Sequence, residues 1–269
     1  MNKIQASNPF FEIYSTPHGT VPFNLIKTEH YAPAIHEGIR RQNGEIDAII
    51  NNPDAPTFEN TIVPYEKSGE LLHRVNTVFG NLLSAETDDE LQELAREIMP
   101  LMSEHENNIS LNEKLFARIK TVYELADKAK LTPEQSKLLE DIYTGFVRNG
   151  ANLQGDVKEQ YRNLCKELSL LTLQFSENTL KETNDYRLVL TEKSQLSGLP
   201  ESAIDAAAET AQEKGVEGWV FTLHAPSYSP FMTYADNRDL RRELYMAYNT
   251  KCTHDNACNN LEIVKKIAN

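Results

Sequence analysis

LQGDVKEQYRNLCKELSLLTLQFSENTLK, residues 153–181, is the stretch that decides the fold class. Val157, Tyr161, Leu164, Leu168, Leu171, Phe175 and Thr179 recur at steps of three and four, which puts them on one face of a helix. At about 1.5 Å per residue that helix spans about 40 Å, longer than an average globular helix. The pattern predicts a mast on which shorter helices lean, with Cys165 a small core residue beside Leu164 and Leu168.

Upstream, helical signals follow one another. Thr132-Pro133-Glu134-Gln135 offers a hydroxyl at the cap, proline at the first helical position and glutamine at the third. The helix it starts carries Leu138, Leu139, Ile142, Phe146 and Val147 and stops at Asn149-Gly150. Asn112 starts another, with Leu115, Phe116, Ile119, Val122 and Tyr123. Thr87-Asp88-Asp89-Glu90 is a capping box before Leu91, Leu94, Ile98, Met102 and His105, with a kink expected at Pro100. One helix is expected after Thr57, through Ile62, Tyr65, Leu72, Val75, Phe79 and Leu82. Another runs from an N-cap at Thr28 to Asn51 along Tyr31, Ile35, Ile39, Ile46, Ile49 and Ile50. Asn8 to Asn24, with three prolines among Phe10, Phe11, Tyr14 and Phe23, reads as an extended arm whose aromatics pack onto the body.

Downstream of Thr183 the period changes. Tyr186–Leu190 and Gly218–Leu223 read as strands, flanking an Ala-rich helix from Pro200 to Gly215. Residues 225–230 read as a loop and Phe231–Tyr234 as a third strand. Asp236 then caps a helix with Leu240, Leu244, Tyr245 and Tyr248, and Asp255 or Asn256 starts a last one with Leu261, Val264 and Ile267. The expected fold is mainly α: a multi-helix lobe with a small β-hairpin or sheet insertion over about 186–234. The expected organisation is an arm and helical lobe over 1–185, a small α/β insertion over 186–235, and helices of the same lobe over 236–269 that are cut short at Asn269.

Composition narrows the function classes. Lys plus Arg is 27 and Asp plus Glu is 40, a net charge of −13 over 269 residues. Nucleic acid and anionic membrane both need a basic face, so neither is an expected partner. No run of about 18 apolar residues codes a membrane span, and MNKIQASNPFFEIY has no apolar signal core. The three cysteines, Cys165, Cys252 and Cys258, are too few and odd in number for a disulfide framework and fit a reducing compartment. The expected location is the cytoplasm, or the periplasm had an upstream signal been removed.

No complete catalytic constellation is present. An HExxH helix grips zinc with two imidazoles one turn apart. His36-Glu37 fails because Arg40 stands at the second ligand position, and His105-Glu106 fails because Ile109 does. Both pairs read as helix-surface residues. Cys252, His254 and Cys258 supply three soft donors where a structural zinc site needs four, and read as a turn between helices. No nucleophile elbow or phosphate-cradling glycine loop occurs. Tyr228, Phe231 and Tyr234, set around Pro226 and Pro230, read as a packed turn, with a peptide groove as the alternative. No catalytic, cofactor or metal residue is therefore assigned to this chain.

Several stretches resemble one family in order along nearly the whole chain. They are Val21–Lys27 with His30–Ala34, Pro56–Ile62, Ser68–Leu72, Gly145–Ala151, Leu199–Ser202 and, most specific, PSYSPFMTYADNR at residues 226–238. Together these are similar to the N-terminal region of the thimet-oligopeptidase-like zinc metallopeptidases, most of all their bacterial peptidyl-dipeptidase members. The resemblance implies a mostly helical, two-lobed enzyme around a deep channel that admits short peptides. It implies one zinc, held by an HExxH helix and a glutamate of a later helix, all downstream of Asn269. It implies oligopeptide substrates and release of C-terminal dipeptides. This segment would be part of the channel wall, inactive alone, lacking its C-terminal catalytic half and prone to self-association. An oligopeptidase A-like endopeptidase fragment and a stand-alone helical binding or scaffold protein are the alternatives.

Overall fold

The computed structural model describes residues 8–127 and 130–269; the first seven residues, part of the segment read above for a signal core, lie outside them. Local signals account for most element starts. Thr132 Oγ1 accepts from the Gln135 N–H while Gln135 Oε1 accepts from the Thr132 N–H, and this reciprocal cap opens a helix over Pro133–Arg148. Asn112 Oδ1 accepts from the Leu115 N–H to open Glu113–Leu125. Thr57 and Asn60 make the same reciprocal cap on a wide π-type turn, Phe58–Ile62.

In chain order the helices are α1 (Tyr31–Ile50), α2 (Val63–Lys67), α3 (Glu70–Ala85), α4 (Asp89–Ser110), α5 (Glu113–Leu125), α6 (Pro133–Arg148) and α7 (Asp156–Asp185). There follow strand β1 (Leu188–Leu190), α8 (Glu201–Glu213), strand β2 (Trp219–Phe221), α9 (Ala225–Tyr234), α10 (Arg238–Asn249) and α11 (Leu261–Ala268). The chain divides into two compact units, one up to Leu170 and one from Leu171, the boundary falling within the residues of α7.

In the first unit α1 packs along α3. The approach is close because Gly38 has no side chain: a Cβ there would lie 2.9 Å from Leu72 Cα. Phe10 of the arm, Tyr31 and Phe79 form a buried aromatic series, each neighbouring pair 5.2 Å apart and tilted. Phe10 fulfils the packing expected of the arm, whereas Phe23 and Ile13 are exposed. Ile46, Ile62, Leu115, Ile119, Leu139 and Phe146 build a second buried cluster where α1, the π-type turn, α5 and α6 converge.

The second unit contains a two-stranded antiparallel sheet in which Leu188 pairs with Phe221 and Leu190 with Trp219. Leu188 and Leu190 face inward and Val189 outward. With Leu196, Phe231 and Leu244 they form the core of this unit.

Several expectations are corrected. Thr28 is not the cap of α1; it opens a separate 3₁₀ turn, Thr28–His30, and α1 starts at Tyr31. The single helix expected after Thr57 is broken at Ser68-Gly69, where Gly69 takes φ +76° and its N–H donates to Glu45 Oε2 at 2.7 Å. Asp88, not Thr87, caps α4: its carboxylate accepts from the Leu91 N–H at 2.8 Å. Residues 225–234 are helix, not loop plus strand. Pro226 sits in the first turn, where its missing N–H costs nothing, and Phe231 is locked into the core 4.6 Å from Phe221. Asp236 is used elsewhere, accepting from Ser197 Oγ, and Asn237 caps α10. In α11 the buried residue is Ile263, while Leu261, Val264 and Ile267 are exposed.

The mast itself departs most. α7 is 30 residues long but none of them is buried. Val157, Leu164 and Phe175 are exposed, Leu164 at 63%, and Cys165 is only half-buried. The period made the helix legible; it did not supply a neighbour to cover it.

Candidate functional site

The two His-Glu pairs have different fates. His36 is exposed on α1, and Glu37 is drawn to Arg40 and Arg41, whose Nε atoms donate at 2.7 and 2.8 Å. Those bonds hold the Glu37 carboxyl down at about 2, against an ordinary value of 4.5. Since the folded value is depressed, the pair stabilises the fold above pH 4.5, and that contribution is lost as the pH falls through about 2. Glu37→Gln should therefore flatten the acid limb of stability between those values by up to ~1 kcal/mol, the ceiling for pairs whose arginines are solvated. Unfolding midpoints of both proteins measured across that range check it; parallel curves contradict it.

His105 is not a surface residue. It is 4% exposed, and its Nε2 lies 2.8 Å from Gln42 Oε1, a contact that needs Nε2 to carry the proton. Burial lowers its pKa, so the ring is neutral at pH 7. Gln42 Nε2 in turn faces Ser68 Oγ at 3.4 Å, and Ser68 Oγ donates to the Tyr65 carbonyl at 2.8 Å. A polar chain from α4 thus reaches the α2–α3 break.

That chain borders a cavity of about 1030 Å³ in the first unit, lined by parts of α3, α4 and the start of α7. Its wall includes Gln42, Asn76, His105, Asn107, Asn149 and Tyr161. Desolvation raises the pKa of the Glu106 carboxyl, also on the wall, and that of the Tyr161 phenol, to which neighbouring Cys165 adds. Both changes favour the uncharged form. Sequence reasoning reached His105 and Glu106 through the failed zinc motif but missed the carboxamides. They belong to no motif, and the one signal was a histidine interrupting the apolar stripe of α4.

The remaining candidates are dispersed. Cys252 and Cys258 are buried free thiols, and His254 is exposed. The Cys252 N–H donates to Glu182, and burial, with Glu182 beside it, pushes the Cys252 thiol up to about 11. Among the described residues no three His, Cys, Asp or Glu side chains gather to hold a metal ion. The Tyr228 group is divided: Phe231 is core, Tyr228 stacks on Tyr248 at 4.3 Å, and Tyr234 lines a second cavity of about 740 Å³ with Pro226 and Pro230. No helix among the described residues is long and apolar enough to cross a membrane.

No family model matches the chain. Individual relatives do. The dipeptidyl carboxypeptidase of Escherichia coli is 35% identical over 261 residues, which cover 97% of this chain and 38% of that enzyme. Oligopeptidase A of Haemophilus influenzae is 34% identical over 247 residues, 92% of this chain and 36% of the relative. The chain is a homologue of these thimet-oligopeptidase-like metallopeptidases. The dipeptidyl carboxypeptidase of Salmonella typhimurium, 34% identical over 97% of this chain, extends the same relation. The chain spans 36% to 39% of the length of these three peptidases.

Proposed function

We propose that this chain is the N-terminal portion of a cytoplasmic zinc metallopeptidase that hydrolyses short oligopeptides and releases dipeptides from their C-termini. The observation that carries the reading is the 35% identity to a dipeptidyl carboxypeptidase across 97% of the chain. The residues present do not fit zinc. Arg40 and Ile109 occupy the positions of second imidazoles, Cys252, His254 and Cys258 supply three donors where a structural site needs four, and no donor set converges among the described residues. The ion is left to residues outside this chain, and no chemical step is assigned here. The chain's part is structural: a wall that limits which peptides enter.

Exposed apolar faces support that division of labour. Val157, Leu164 and Phe175 on α7, and Leu261, Val264 and Ile267 on α11, lie open to solvent. Clustered exposed apolar residues mark surfaces made to be covered, here by the catalytic half. In isolation the chain should self-associate, with a sedimentation coefficient that rises with concentration; a monomer throughout counts against it.

An endopeptidase reading is favoured by the near-equal identity to oligopeptidase A. Peptides with an amidated C-terminus separate the two, because dipeptide release needs a free carboxylate and internal cleavage does not. A protein extending this chain through a downstream HExxH helix should cleave free-carboxylate peptides, be blocked by a chelator and spare the amides. Cleavage of both substrates alike would establish the endopeptidase. No cleavage of either would overturn the peptidase reading.

A further inference from the structure

Asn149-Gly150, the pair at the end of α6, joins a reactive dipeptide to a backbone that can open. An asparagine side chain is attacked most readily when glycine follows, because a residue without Cβ leaves its amide nitrogen uncrowded and its backbone free to turn. The chain holds two such pairs, Asn43-Gly44 and Asn149-Gly150, and both asparagines are exposed. Their backbones differ. Asn43-Gly44 lies in the interior of α1, where each amide is held by the carbonyl four residues earlier. Nothing stands within 4 Å of a Cβ added at Gly44, so crowding is not what shields it. Asn149 lies just past α6, at φ −88° and ψ 21°, and Gly150 takes φ +86°. The Gly150 N–H reaches the Val147 carbonyl at 3.3 Å, and the Ala151 N–H closes the end on the Phe146 carbonyl at 3.0 Å. Freeing Asn149 frays one helix end, whereas freeing Asn43 unwinds turns on both sides of it.

We propose that Asn149 is a site of spontaneous deamidation, a self-timed modification that installs a carboxylate on the wall of the cavity beside α4. The Gly150 nitrogen attacks Asn149 Cγ. The N–Cγ bond forms, the Cγ–Nδ2 bond breaks, and the proton of the Gly150 N–H leaves with Nδ2 as ammonia. Water then opens the cyclic imide. Attack at Cγ gives aspartate with the chain restored; attack at the backbone carbonyl carbon gives isoaspartate, in which the chain runs through Cγ. One water enters and one ammonia leaves. The position gives the product its effect. Asn149 lines the cavity with Glu66, Glu70 and Glu106, so the new charge joins an acidic wall. It also stands at the C-terminal end of α6, where aligned carbonyls already carry partial negative charge. Both effects weaken the fold.

Ageing the purified chain in mildly alkaline buffer tests this, with digestion and mass spectrometry reading each asparagine in turn. The Asn149 peptide should take the mass of aspartate, in two chromatographic forms, roughly tenfold or more faster than the Asn43 peptide, as the lower opening cost of a helix end predicts. In urea the two rates should converge, because the dipeptides are identical. The isoaspartate form should accept a methyl group from S-adenosylmethionine through an isoaspartate-specific methyltransferase. Asn149→Gln, whose longer side chain closes a ring far more slowly, should remove that labelling, and Asn43→Gln should leave it. The aged chain and Asn149→Asp should both melt roughly 1–4 °C below the fresh parent. Equal rates in the folded chain, faster loss of Asn43, or labelling that survives Asn149→Gln would overturn the site. An unshifted melting temperature in the fully converted chain would overturn its effect, whether or not Asn149→Asp folds.

Discussion

Phe79→Ala is expected to cost ~3–5 kcal/mol, the range for deleting a large aromatic from a packed core. Phe79 is fully buried on α3, with its ring 5.2 Å from Tyr31, and Tyr31 in turn holds Phe10 of the arm at 5.2 Å. Deletion therefore leaves a void and also loosens the arm. Asn8 caps the Pro9–Phe11 turn and donates to the His30 carbonyl at 2.7 Å, which ties the arm to the start of α1 and not to α3. Arg74 of α3 also holds the arm, its Nη2 donating to the Phe10 carbonyl at 2.6 Å and its guanidinium lying 5.2 Å over the Tyr14 ring. The urea midpoint of the far-ultraviolet transition reads the loss. Ile13→Ala is the control, since Ile13 is 94% exposed and should change stability by less than ~0.5 kcal/mol. Equal effects from the two substitutions would refute the assignment of the arm to the core.

Gly198→Ala should destabilise the second unit by about 3 kcal/mol, from left-handed strain of ~1–3 and a displaced hydrogen bond of ~1. Gly198 has φ +87°, and a Cβ there would stand 2.2 Å from the Tyr234 carbonyl oxygen and 2.9 Å from the Asp236 carboxylate. Neither neighbour can yield cheaply. The Asp236 N–H donates to the Ser197 carbonyl at 2.8 Å, and Ser197 Oγ donates to Asp236 Oδ2 at 2.7 Å. Trp219 is the single tryptophan and lies in β2, so its fluorescence reports this unit directly. Gly215→Ala serves as comparison: it also has positive φ, +62°, but nothing within 4 Å of an added Cβ. Gly215→Ala should cost the strain alone; a Gly198→Ala penalty no larger than that would show that the close approach does not matter.

What could be read in advance follows from how local each cause is. Thr132 and Asn112 act on backbone groups three residues away, and their caps were legible for that reason. Gly69 breaks a helix by a backbone angle and a bond to Glu45, 24 residues earlier, so the apolar stripe from Ile62 to Leu82 read as unbroken. Phe231 became helix because Phe221 holds it there, against two prolines and an aromatic, β-favouring run.

Stripes misled in a second way. The period at Val157–Phe175 and at Leu261–Ile267 identified helices correctly, yet these faces are open in this chain. An apolar face states that something covers it and not what does. The same limit hid the cavity beside α4: Asn76, Asn107 and Asn149 lie 31 and 42 residues apart, and only folding sets them around one space. The zinc motif, by contrast, was decidable from sequence, because the ligand spacing is fixed by one helical turn.

Zinc content after dialysis is the most direct test of the claim that this chain is wall and not reactive floor. The purified chain, loaded with zinc and dialysed against metal-free buffer, should retain far less than one ion per molecule. One ion per molecule held through dialysis, and lost on replacing His105 or Cys252, would contradict the account.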